Sequence, residues 1–184
     1  FPSREALRSN PVSFSVLYND IPAYSPAYIE ELFIERKVDM ESTELKLKDA
    51  KGKFVNISAG KRLTVAQPDD CCSNIYIFGY EVAFGIGADD GLTFASYLQE
   101  AINNHKWPNE HKNIGVINCG LWGDLTYTDI LEHSLLPEIR NHAITKNDGI
   151  LWFVSPSFHQ KKVRRQKKAI SYIDAYMSEL GLHY

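Results

Sequence analysis

The chain has 184 residues, and with 44% apolar against 23% charged residues it has the composition of an ordinary folded domain, which excludes disorder, collagen repeats and coiled coils. Twenty Lys and Arg against 23 Asp and Glu leave a formal charge of −3, so the overall field gives no reason to expect nucleic acid or an anionic membrane as partner. No window approaches the roughly 20 apolar residues that span a bilayer, so no transmembrane segment is expected.

Residues 1–68 read as an accessory segment that packs on a main domain over 69–184. Ser25 and Pro26 form a cap followed by Pro at the first helical position, and Tyr28, Ile29, Leu32 and Phe33 then make an apolar stripe, with Glu30, Glu31 and Glu35 outside it. This predicts a helix to about Lys37. Thr43–Lys48 and Phe54–Ser58 flank the turn-forming run Asp49-Ala50-Lys51-Gly52, which predicts a β-hairpin. Gln67-Pro68-Asp69-Asp70 then punctuates the chain as a loop. Three cysteines, two of them adjacent at Cys71 and Cys72, make no disulfide framework; the odd count points to reduced thiols and a cytoplasmic setting.

From Ser73 the pattern changes to buried strand, loop and amphipathic helix. Ile75-Tyr76-Ile77-Phe78 is a continuous apolar run ending at Gly79, as in a parallel strand covered on both faces. A helix is expected from about Thr93 to Asn104 with Phe94, Tyr97, Leu98, Ala101 and Ile102 on one face. Ile114–Asn118 reads as a second strand, 126–141 as a second helix, Ile150–Val154 as a third strand and 160–180 as a last helix. Alternation of this kind predicts an α/β, three-layer flavodoxin-like sandwich with a mainly parallel sheet.

In such a sheet the ligand crevice lies beyond the carboxyl ends of the strands. Three loops therefore matter, those following Phe78, Asn118 and Val154. Gly85-x-Gly87 lacks the leading and third glycines of a dinucleotide loop. Asp89 and Asp90 are expected to favour the following helix N-terminus, with a carboxylate pair to Glu81 as an alternative. Neither metal nor cofactor is expected.

Three blocks stand out over residues 74–180: Ile77-Phe78-Gly79-Tyr80-Glu81, followed by Phe84-Gly85 and Tyr97-Leu98-Gln99; Val116-Ile117-Asn118-Cys119-Gly120-Leu121-Trp122-Gly123-Asp124; and the entry to the third strand, Asn147-Asp148-Gly149-Ile150. In these blocks the chain resembles the SGNH (GDSL-like) hydrolases. The resemblance implies a nucleophilic Ser two residues after the first-block Gly, and Glu81 stands there. It implies an oxyanion donor at Gly123 and places Ser157 where the family has Asn. A carboxylate lacks the hydroxyl that a histidine base would activate. The family's Asp-x-x-His has no counterpart among the six histidines, so the domain is expected either to end short of that block or to have lost it.

The functional expectation is thus an SGNH-like domain impaired as an ester hydrolase that binds a carbohydrate, acylated or other small-molecule ligand in the ancestral crevice. Gly79, Tyr80, Asn118, Trp122, Asp124 and His159 are its expected ligand-binding residues. The rival is an active esterase or acyltransferase in which Glu81 serves as general base, or whose catalytic residues follow Tyr184. A separate cluster, Lys161, Lys162, Arg164, Arg165, Lys167 and Lys168, would spread around a helix. It is read as a solvated face or a site for an anionic partner.

Overall fold

The structure of the protein, a computed structural model, describes residues 26–34, 40–41, 46–105, 113–122 and 127–153, together with 171, 174, 175 and 178. It is a mixed α/β fold. Helix α1, Pro26–Ile29, continues as a π-helical turn over Glu30–Ile34. Tyr28 and Leu32 are buried as the stripe requires. Glu31, expected outside the stripe, is buried as well, because its carboxylate accepts from the backbone N–H groups of Lys53, Phe54 and Val55 at 2.8–2.9 Å.

The predicted hairpin is replaced by two shorter ones. Strand β1, Met40–Glu41, pairs antiparallel with β2, Lys46–Leu47, and β3, Ile57–Ser58, pairs antiparallel with β4, Lys61–Arg62. Among the described residues, Ala50, expected in the turn, instead forms an isolated antiparallel bridge with Ile57. The β3–β4 connection is a two-residue turn with Ala59 at φ 51° and Gly60 at φ 74°, the left-handed pair that matches strand twist. Ala in the first of these positions hides the turn from a search for Asn-Gly or Asp-Gly.

Strand β5, Ser73–Phe78, pairs in parallel with β6, Ile114–Asn118, on one side and with β7, Gly149–Trp152, on the other. Ile75 faces Val116 and Gly149, and Phe78 faces Trp152. The other side of β6 meets β4 antiparallel at Asn118 and Arg62, so the five-stranded order is β3-β4-β6-β5-β7. The expected mainly parallel sheet is therefore mixed, because the upstream segment adds an antiparallel hairpin to the parallel strands.

Alternation along β5 serves two apolar clusters. Tyr76 and Phe78 join Ile130, Leu135, Ile139 and Ile150, with Tyr28, Leu32 and Val55 of the upstream segment in the same cluster. Ile77 and Val116 meet Ala83 and Ala95 in the other. Helix α2, Glu81–Phe84, directly follows β5. After a 3₁₀ turn at Asp90–Leu92, α3 spans Phe94–Asn104, with the Thr93 hydroxyl accepting from Ser96 N–H as its cap.

The inward face of α3 differs from the expected one. Ala95 and Gln99 are buried and Leu98 and Ile102 partly buried, whereas Phe94, Tyr97 and Ala101 are exposed. Gln99 decides the rotation. Its carboxamide accepts from Val116 N–H at 2.7 Å and donates to Ile114 O at 2.9 Å, occupying β6 backbone groups where β4 has ended, while Gln67 donates to Val116 O. An edge left open would cost these groups their partners.

Helix α4, Tyr127–Ile130, runs through a π-helical segment, Leu131–Leu135, into α5, Leu136–Arg140. Pro137 lies in the first turn of α5 and has no N–H for a regular helical bond, a known cause of such interruptions. The predicted last helix lies outside the described residues apart from Ser171, Asp174, Ala175 and Ser178, which are helical. Among the described residues no helix is long and apolar enough to cross a membrane.

Candidate functional site

The carboxyl ends of β5, β6 and β7 lie side by side because the three strands are parallel and in register. Backbone bonds carry the alignment into the loops: Cys119 N–H donates to Ile77 O, Leu121 N–H to Gly79 O, and Phe153 N–H to Phe78 O, at 2.8–2.9 Å. Gly79 turns the chain out of β5 at φ 148°, and a Cβ there would stand 2.8 Å from Phe153 Cβ and 3.0 Å from Ala83 Cβ. Only glycine permits this turn.

Tyr80 and Glu81 follow at once. Glu81 opens α2 and is half-buried, and its carbonyl accepts from the N–H groups of Gly85 and Ile86. A carboxylate in a helix's first turn complements the exposed N–H ends. From the neighbouring loop Gly120 makes the closest approach to α2: a Cβ would lie 2.2 Å from Phe84 N. The two loops therefore meet backbone to backbone.

Asn118, expected among the ligand-binding residues, is fully buried. Its Oδ1 accepts from Gly120 N–H at 3.0 Å and its Nδ2 donates to Phe84 O at 3.4 Å. It shapes the loop and offers a ligand no surface. Tyr80 and Trp122 are partly buried against the core cluster. Cys119 lies beneath the loop, its thiol pushed up by burial and by the Glu138 carboxylate, and so is held protonated. Gly123, Asp124, Ser157 and His159 lie outside the described residues, as do Lys161, Lys162, Arg164, Arg165, Lys167 and Lys168.

Asp90 is removed from any carboxylate pair with Glu81. It is buried, accepts from Arg62 Nε at 3.0 Å and from Asn56 N–H and Nδ2 at 2.9 and 2.7 Å. Burial pushes its carboxyl up from the ordinary value, against the opposing pull of Asn56 and Arg62. Asp89 accepts from Leu92 N–H as a cap. Among the described residues no three His, Cys, Asp or Glu converge as metal ligands would, and Cys71 and Cys72 are free exposed thiols.

Comparison with family models, with curated proteins and with solved structures finds no match to this chain. The site rests on its own geometry. Two buried polar residues of the upstream segment, Glu31 behind Lys53–Val55 and Arg62 at α2, do not stand out as anchors in the sequence. Glu31 carried a signal, since Tyr28, Glu31 and Leu32 share the i, i+3, i+4 spacing of one helix face. Arg62 carried none, because its partners lie 22–28 residues away.

Proposed function

We propose that this chain is an SGNH-hydrolase-like domain, impaired as an ester hydrolase, that binds a carbohydrate or acylated small molecule beyond the carboxyl ends of β5, β6 and β7. The reading includes the flavodoxin-like three-layer order, with Gly123 as backbone oxyanion donor and Ser157 in place of Asn. The reading keeps Asp124, Trp122 and His159 as further ligand-binding residues. One observation supports it most: Glu81 stands in the first turn after β5, where the resemblance implies a nucleophile, beside the Gly120 loop. A half-buried carboxylate there can accept hydrogen bonds from sugar hydroxyls, whereas acyl transfer through it would require a mixed anhydride.

The test has two parts. Wild type, Glu81→Gln and Glu81→Ser are assayed for hydrolysis of p-nitrophenyl acetate. Acetylated chito-oligosaccharides are then titrated while the Tyr80, Glu81 and Trp122 resonances are followed. The reading expects no turnover by wild type and saturable shifts confined to these loops. Turnover that Glu81→Gln abolishes would replace it with an active enzyme using Glu81 as base. Shifts absent with every oligosaccharide would remove the ligand assignment.

A further inference from the structure

The resemblance begins at residue 74, yet a side chain that bonds several carbonyls at the end of Glu81's helix comes from the segment before it. Arg62 ends β4 with its side chain fully buried. Its Nη1 donates to the carbonyls of Phe84 at 3.0 Å and Gly85 at 2.7 Å, its Nη2 to Ala88 O at 2.6 Å and its Nε to Asp90 at 3.0 Å. The guanidinium also lies over the Phe84 ring, 4.8 Å from its centre. These carbonyls close α2 and the turn after it, and a helix end buried without partners for them would be unstable.

One planar fork answers all of them, which a lysine ammonium at the end of a flexible stem does not. Gly85 is left-handed at φ 89°, and a Cβ there would press on Thr93 and on the guanidinium itself. A second tie from the same segment secures the next turn: the Tyr28 hydroxyl accepts from Gly87 N–H at 2.9 Å. The backbone of Gly120 also packs closely against α2, at Ala83 and Phe84. A four-residue helix held this way has one place to sit, and its carbonyl end is about 4.5 Å from Glu81 along the axis.

We infer that Arg62 is a positioning residue for Glu81, so that the crevice is built jointly by the parallel strands and by the segment before Pro68. What Glu81 then does rests on the proposed function; how it is held does not. The experiment accordingly needs no ligand. Amide hydrogen exchange is compared in the wild-type chain, in Arg62→Lys and in the double variant Arg62→Met/Asp90→Asn, which removes both buried charges together. The 13C shift of the Glu81 carboxyl is recorded in each.

In the double variant the amides of Gly85, Ile86 and Ala88 should exchange about tenfold faster relative to those of β5 and β6, and the Glu81 carboxyl signal should move. Arg62→Lys, which keeps a cation beside Asp90, should fall between the two and keeps the test open if the double variant does not fold. Equal acceleration of loop and strands would mean that Arg62 supports the fold as a whole and would overturn the inference. So would unchanged loop protection with an unmoved Glu81 signal. A failed ligand titration leaves this result standing, and unchanged exchange leaves the ligand question where the titration puts it.

Discussion

The upstream segment shares the apolar core with the parallel strands through Leu32, Leu47, Val55 and Ile57, but adds to it a set of buried polar anchors that Ile77, Phe78 and Val116 of the strands do not have. In the segment, Glu31 answers three backbone N–H groups, Arg62 three carbonyls and a carboxylate, and Tyr28 one N–H. In the strands, Ile77, Phe78 and Val116 are fully buried among apolar neighbours. Polar anchoring fixes geometry through a few directional bonds, and losing one partner leaves its mate buried and unsatisfied. Apolar packing spreads its contribution over many weak contacts and yields by degrees. The segment can therefore set the crevice loop accurately while depending on very few residues.

Arg62→Met is expected to cause the largest loss of stability. It leaves Asp90 buried without its cation, and urea unfolding should show a loss of about 3–5 kcal/mol, partly recovered by adding Asp90→Asn. A loss below about 1 kcal/mol would mean that the pair is dispensable. On the apolar side Ile77→Ala should cost about 2–5 kcal/mol and Ile77→Val about 0.5–1.5, the graded response expected of packing.

Glu31→Ala strands three N–H groups and should cost about 1–3 kcal/mol by the same measurement. Exchange at Lys53, Phe54 and Val55 should rise with it. The smallest effect is expected at Tyr76, which belongs to the strands but donates to Ala143 O at 2.7 Å. Tyr76→Phe should cost about 0.5–1.5 kcal/mol at neutral pH.

Tyr76 also carries an alkaline signature. Burial first, then the carboxylates of Asp148 and Glu138, push its phenol up from 10.0 to about 12. The folded chain thus keeps this proton to higher pH than the unfolded chain. Its contribution is complete below pH 10 and is lost as pH rises toward about 12. The stability gap between wild type and Tyr76→Phe should narrow over that window, and a constant gap would refute the assignment.

Legibility follows the same division. The apolar run Ile75–Phe78, the strand Ile114–Asn118 and the helix ending at Asn104 stand where their periodicity puts them. Each is specified by neighbours in sequence. Failures occur where a polar group serves a distant backbone: Gln99 bonds Val116 and turns the α3 face, Glu31 bonds Val55 and enters the core, and Asn118 and Asp90 face inward to Phe84 O and Asn56 N–H. At the site, the Gly79-Tyr80-Glu81 turn was legible as a glycine closing an apolar strand, whereas the clamp behind it was not.

By itself the sequence determined the α/β class, the strands of the parallel unit and the loop that carries Glu81, because hydrophobic period and glycine placement are local properties. Tertiary structure alone decided that β4 joins the sheet beside β6 and that Arg62 reaches α2. Those outcomes depend on which unsatisfied backbone groups meet after the chain has collapsed, and hydrogen-bond pairing across 20 or more residues leaves no periodic mark on the residues that make it.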